Sequence, residues 1–534
     1  MRPHVLSLLG RRLLGATFVL GLGVAPAMAD TLRVGTQGDP ASLDTAHIGG
    51  SVWENDILGD IYEGLVTLSP EGQYIPGAAK SWQVSDDGLT WTFTLRDDAR
   101  WSDGEPVVAD DFKRAFTRLM TPSNAAVYAS LFYPIKNGRA ITEGTAAPET
   151  LGVDAPDART VVFHLERPTP YFEALLANIA ASPVPTHVLD QFGDHWAEPE
   201  HIVTNGAFTP TDWVANDHLS TQKNTYFHDA ASVSLDGVTF YPIENRNTGL
   251  RRFRAGEFDL VRDFPPERYD ALKEQLPGAV HLAPQLANYY FALNQRDGHP
   301  TADARVREAL NLAVRRDIIT DKIMNGTVTA ARSFVPDGVN QYDAQSMPGL
   351  EAPMDERMTR AKRLLSDAGY GPDRPLELTL RYSTTEANKR IAIALASMWK
   401  PLGIKTSLIN AEGRVHYADL AAGTFDVGRA SWVADFDDAA NFLGILEQGA
   451  AKNYGGYQSD AFDELMSRAA RTQDPETRQT LLERAERQML GDYALIPIYI
   501  DTSRNLVNPK LTGFADNVLN RHLSRWIKFV DSDH

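Results

Sequence analysis

Three side chains close together in the chain could do chemistry on one small molecule: Arg429, Trp432 and Asp435. A base and a lone acid with an aromatic wall between them suit a zwitterionic ligand, one with an ammonium and a carboxylate. Charge-assisted hydrogen bonds in a dehydrated cleft are stronger than their surface equivalents. Nothing comparable points to catalysis. The chain has no G-x-S-x-G elbow, no P-loop, no G-x-G-x-x-G after a strand and no H-E-x-x-H. His195 and His201 lack a companion at metal-ligand spacing, so neither a metal nor a cofactor is expected. The acid pairs Asp86-Asp87, Asp97-Asp98, Asp110-Asp111 and Asp437-Asp438 could imitate glycosidase carboxylates, but they read better as turn formers, helix caps and solvated surface. Trp82, Trp91 and Trp101 read as core.

The elements that must position the three residues form a β-α-β-α-β run. Apolar periodicity predicts a strand over 376–382, a helix over 387–400, a strand over 404–409, a helix over 415–422 and a strand over 425–430. Trp432 and Asp435 would then follow the last strand. Upstream, a helix over 360–368 stops at Gly369, a left-handed cap; downstream, an amphipathic helix over 476–490 leads into a strand over 494–500. The first half predicts strands over 31–36, 91–96, 160–165, 237–243 and 289–293. A turn at Ser102-Asp103-Gly104 precedes a helix over 110–120, with Phe112, Phe116 and Leu119 on its buried face. Interleaving of this kind predicts an α/β fold whose domains the chain leaves and re-enters, with room for a hinge.

The 534 residues carry 52 Lys and Arg against 70 Asp and Glu, a net charge of −18, with no cysteine. That acidity argues against nucleic acid, and the lack of cysteine excludes disulfide scaffolds, thiolate metal sites and thioether lipid anchors. Residues 1–29 read as a cleavable export signal. Arg2, Arg11 and Arg12 precede an apolar run, Leu13 to Val24, that is too short to span a bilayer, and Ala27-Met28-Ala29 places the cut before Asp30. Sec export fits best, with Arg11-Arg12 leaving the twin-arginine route open. The mature chain would be a free periplasmic monomer.

Several motifs in order make the chain recognisable. They include Tyr62-Glu63-Gly64-Leu65, Trp91-Thr92-Phe93 through Trp101-Ser102-Asp103-Gly104, Thr204-Asn205-Gly206-Ala207-Phe208, Ala368-Gly369-Tyr370, Gly423-Thr424-Phe425-Asp426-Val427 and Trp432-Val433-Ala434-Asp435. The sequence resembles the periplasmic oligopeptide-binding proteins of ABC importers, an extracellular solute-binding family. The resemblance implies a type II-like periplasmic binding fold, with two α/β lobes around a hinge and an additional domain. Carried over, domain I would cover 30–62, 186–286 and 503–534, domain II 63–185, and domain III 287–502.

The resemblance also implies a function: capture of a short peptide between domains I and III and delivery to an inner-membrane ABC permease, without chemistry on the ligand. The peptide would pair with segments matching His47 to Ser51, including Gly49, Gly50 and Ser51, and Ser431 to Asp435, including Val433 and Ala434. Asp435 would meet the ligand ammonium, Tyr128 and Trp432 would line that end, and Arg429 would lie near the far end. Tyr289 joins the candidate aromatics. The departures fall in the pocket. Gly49 stands where relatives have a glutamate, Gly413 replaces a tryptophan, Leu420 an arginine and Asn388 a histidine. Ala287 and Val433 align with two cysteines that can bridge in relatives. A modified or branched peptide, murein-derived ones included, a nickel chelate or another small solute therefore stay open as ligands, as does a secreted hydrolase on the same fold.

Overall fold

A computed structural model describes residues 30–49, 51–340 and 342–530. The export signal and Gly50 lie outside the described residues. Thr31–Thr36 pairs in parallel with Gly237–Pro242 and with Leu260–Arg262, which pairs antiparallel with the end of strand Leu495–Val507. One sheet thus gathers residues from the beginning, middle and end of the chain, the re-entry predicted from sequence. A separate four-stranded sheet holds Ala79–Val84, Thr90–Leu95, Thr160–His164 and Val153–Asp157. Its inward residues Trp91, Phe93 and Leu95 are buried, as the alternation predicted, and so are Phe112, Phe116 and Leu119 of helix Ala109–Met120.

The β-α-β-α-β run is present. Glu377–Ser383 pairs in parallel along its length with Lys405–Ala411 and over two residues with Val427–Val433, and helices Glu386–Trp399 and Gly413–Ala421 make the crossovers. The upstream helix starts earlier than expected, at Met354 just after Pro353, and Gly369 has φ +83°. Pro cannot sit inside a helix, so the boundary falls there.

The two lobes share one long sheet through strands Val280–Leu293 and Leu495–Val507. The first is nearly three times and the second about twice the length that the apolar pattern suggested. Their ladder runs from Val280 opposite Leu506 to Pro284 opposite Thr502, breaks, and resumes at Asn288 opposite Ile500. Pro284 has no N–H to give to a ladder, and its segment interrupts the alternation that would have revealed the strand.

The strand expected over 425–430 runs instead from Val427 to Val433. Ser431, Trp432 and Val433 therefore lie inside it, and the three-residue spacing puts Arg429 and Trp432 on opposite faces. The single wall read from sequence is corrected accordingly. Asp111 also departs from a solvated reading: it is buried, accepting from Val108 N, Trp101 Nε1 and Thr186 N. Asp87 and Asp438 hold turn and cap positions as expected.

Candidate functional site

Strand Val427–Val433 is flanked on one side by Val280–Leu293, with Val433 opposite Ala287, Trp432 opposite Asn288, Ser431 opposite Tyr289 and Arg429 opposite Phe291. On its other side Glu377–Ser383 reaches only Val427 and Gly428. The Ala434 N–H donates to Leu286 O at 2.8 Å, so strand alternation turns the N–H and C=O groups of Ser431 and Val433 toward the unflanked edge. His416 Nε2 meets Arg429 O there at 2.8 Å. Beyond it lies an exposed edge of backbone donors and acceptors, the kind an extended chain can join.

Charged groups bracket this edge. Arg429 lies half-buried under the Tyr289 ring, with its guanidinium carbon 4.6 Å from the centroid and Nη1 3.0 Å from Tyr417 Oη. Tyr289 stacks on Tyr499 and donates to Asn388 Oδ1 at 2.9 Å, and Asn388 is anchored to Ser383. Burial pulls the Arg429 guanidinium down, but the Tyr417, Tyr289 and Tyr499 hydroxyls outweigh it, so it stays charged. Among the described residues no carboxylate forms an ion pair with Arg429, and its Nε has no hydrogen-bond partner.

Asp435 stands past the other end of the strand. Tyr128 Oη donates to its Oδ1 at 3.3 Å. Burial pushes the Asp435 carboxyl up, partly opposed by Arg521, Tyr128 and Lys452, and burial beside Asp435 pushes Tyr128 up strongly. Among the described residues Asp435 also forms no ion pair. The site therefore presents an unpaired acid at one end of a free strand edge and an unpaired base further along.

The remaining candidates fall around these two groups. Trp432 turns away from Arg429, with Nε1 donating to Asn441 Oδ1 at 2.7 Å. Gly413 opens helix Gly413–Ala421, and a methyl group added to its Cα would meet no atom within 4 Å. Leu420 is fully buried in the core and faces no cleft. Ser51 caps helix Val52–Ile61, and Glu54 inside that helix takes the N–H groups of Ser51 at 2.7 Å, Gly49 at 3.0 Å and Ala41 at 2.8 Å. Sequence reading missed Glu54, though Ser51-x-x-Glu54 has capping-box spacing. It also missed Tyr417, Tyr171 and Tyr74, which carried no local signal. Among the described residues no three His, Asp or Glu side chains are placed to hold a metal.

The family model described as bacterial extracellular solute-binding proteins, family 5 Middle, matches residues 73–454. The chain belongs to this family. It is 38% identical to the periplasmic murein peptide-binding protein MppA of Escherichia coli K12, over 90% of this chain and 89% of the relative. It is 36% identical to the periplasmic oligopeptide-binding protein OppA of Salmonella typhimurium LT2, over 94% and 93%. The solved structure of the E. coli murein tripeptide binding protein superposes with a TM-score of 0.84 at 36% identity, covering 94% of this chain and 99% of that one. The unliganded open form of the same protein superposes less closely, at 0.78, covering 94% and 98%. The family-5 fold, two α/β lobes with an additional domain, is thus the fold of this chain.

Proposed function

We propose that this family-5 protein is the periplasmic binding component of an ABC importer and that it captures short peptides with free termini. The observation that carries the reading is the strand edge at Ser431 and Val433 with an unpaired acid, Asp435, beyond one end. A peptide backbone supplies matching donors and acceptors whatever its side chains, and its ammonium completes Asp435. Arg429 suits a carboxylate further along. Domain I would cover 30–62, 186–286 and 503–534, domain II 63–185, and domain III 287–502. The break between Pro284 and Asn288 supports a hinge at the domain I–III boundary.

Gly49, Gly50 and Ser51 would supply the facing backbone segment, with Tyr128 and Trp432 near the ammonium end and Asn388, Tyr289 and Gly413 nearer the far end. Signal cleavage between Ala29 and Asp30 would release the protein, a monomer, to the periplasm, and an inner-membrane permease would receive the ligand. The open space at Gly413 and the likeness to a murein peptide binder favour a second reading within this one, a branched or modified peptide. Native mass spectrometry of protein purified from its periplasm tests both. A co-purifying peptide is expected, and its mass separates linear from modified ligands. A non-peptide solute bound stoichiometrically would overturn the proposal.

A further inference from the structure

The loop 435–438 that follows the central strand is gripped residue by residue from distant parts of the fold. Tyr128 Oη donates to Asp435. The Tyr171 ring lies parallel to Phe436, with centroids 4.9 Å apart and planes 8° from each other. The Asp437 N–H donates to Tyr74 Oη at 3.1 Å. Arg478 holds Asp438 with two bonds of 2.7 and 2.8 Å, and its guanidinium carbon lies 5.2 Å from the Tyr171 centroid. Tyr74 belongs to the hairpin Val66–Leu68 and Tyr74–Pro76, Tyr128 precedes the short helix Ala129–Phe132, and Tyr171 precedes helix Phe172–Leu176. The loop itself and Arg478 belong to the second half of the chain.

Phe436 is buried with Tyr171 packed against it, and beside this contact lies a cavity of about 240 Å³ lined by Tyr74, Tyr171, Glu173, Asn340, Asp437 and Arg478. Packed interiors hold few voids larger than a water molecule, so contacts bordering a cavity form a surface that can part. Phe436 is the immediate neighbour of Asp435, so the Tyr171 stack and the Tyr74 hydrogen bond set the backbone from which the Asp435 carboxylate projects.

We infer that Tyr171 and Tyr74 form an interlobe latch on the 435–438 loop: they are positioning residues that hold the closed arrangement and place Asp435 in it. The inference rests on the reading of Asp435 as the group that meets the ligand ammonium. It assigns the additional domain a role, because that domain supplies the latch. One aromatic stack of this geometry shifts a two-state equilibrium by about two- to tenfold.

The test uses the full mature protein with Tyr171→Ala, Tyr171→Leu, Tyr171→Phe and Tyr74→Phe. Dissociation of a fluorescent tripeptide is followed by stopped flow, and affinities for free and N-acetylated tripeptide are compared. Tyr171→Ala and Tyr171→Leu should each speed dissociation about two- to tenfold, leave association unchanged and shrink the preference for the free amine. Tyr171→Phe should behave as wild type, and Tyr74→Phe should speed dissociation less. Tyr171→Leu keeps the apolar bulk and so covers the case where the alanine variant does not fold. Wild-type dissociation and amine preference in a folded Tyr171→Ala or Tyr171→Leu protein would overturn the latch. If the wild type binds no tripeptide at all, the ligand reading fails instead. Small-angle scattering of ligand-free protein then decides the latch, which requires a larger radius of gyration for Tyr171→Leu and is overturned by equal radii.

Discussion

The Tyr128 hydroxyl reaches the Asp435 carboxylate at 3.3 Å across 307 positions of the chain. One oxygen of the acid is thereby engaged by a neutral donor, and no cation of the described residues pairs with it. A ligand ammonium would find a desolvated acceptor already oriented.

Asp435→Ala should lower the affinity for a free-amine tripeptide by about 2–5 kcal/mol, the penalty for leaving one member of a buried charge pair unpaired. Affinity for the N-acetylated tripeptide should hardly change. Isothermal titration calorimetry of both ligands on both proteins measures the difference, and equal losses would remove Asp435 from the ammonium site.

Arg429→Met should separate stability from binding. A buried guanidinium without a carboxylate is a burden on the empty fold, and an apolar side chain of similar length relieves it. The ligand-free melting temperature should hold or rise, while the preference for a free over an amidated peptide C-terminus should be lost. A drop in melting temperature with the preference intact would show that Arg429 serves the fold alone.

Glu54→Gln should weaken the fold and the facing ligand segment together. The carboxylate accepts from Ala41, Gly49 and Ser51, and an amide puts a donor where an acceptor is needed. An unsatisfied buried group of this kind costs about 1–3 kcal/mol. Chemical denaturation reads the stability loss, and calorimetry reads the accompanying loss of peptide affinity.

Asp60 gives the pH dependence. Burial pushes its carboxyl up to about 7; Oδ1 accepts the Ser524 N–H at 2.8 Å and Oδ2 has no partner among the described residues. The unfolded chain loses this proton near ~4. Between there and about 7 the folded state binds the extra proton, so the group's contribution to stability falls as pH rises. Asp60→Asn should gain in melting temperature relative to wild type as pH rises from 5 to 8. A gap between the two proteins that does not widen with pH in differential scanning calorimetry would contradict this.

Intact mass of the exported protein should correspond to a chain beginning at Asp30. The Asp30 N–H bonds Asp236 and the Asp236 N–H returns to Asp30 O, so ordered contacts begin one residue before strand Thr31–Thr36. A start elsewhere would relocate the cleavage site.

Much of the frame was legible because local pattern and burial agree. The strand Thr90–Leu95, the helix Ala109–Met120, the strand Glu377–Ser383 and the helix Glu386–Trp399 bury the residues whose spacing announced them, whereas Leu408, Ile409 and Val415 further along are exposed. Helix Val52–Ile61 was not legible. It buries Glu54, Asp56 and Asp60, so its inner face looks polar in sequence. The site was half visible. Arg429 and Asp435 stood out by charge, but the strand's run to Val433 puts Arg429 and Trp432 on opposite faces, and local hydropathy does not encode where that strand ends. Ala287 and Val433, the aligned positions of a relative's cysteines, do sit directly opposite each other. The tyrosines around Arg429 and Asp437 arrive by long-range pairing and leave no trace in any short window.

The opening strand Thr31–Thr36 has partners that begin two hundred positions later, and its core neighbours include Val507, Leu511 and Ile527. Such contacts form slowly, since a long loop must close before any of them forms. The first lobe therefore cannot bury its core while residues 507–527 are still unmade. A nascent chain of this design remains threadable throughout synthesis, and a version ending before Ser503 should refold its second lobe alone. Burial of the amino-terminal strand therefore waits on the last residues of the fold.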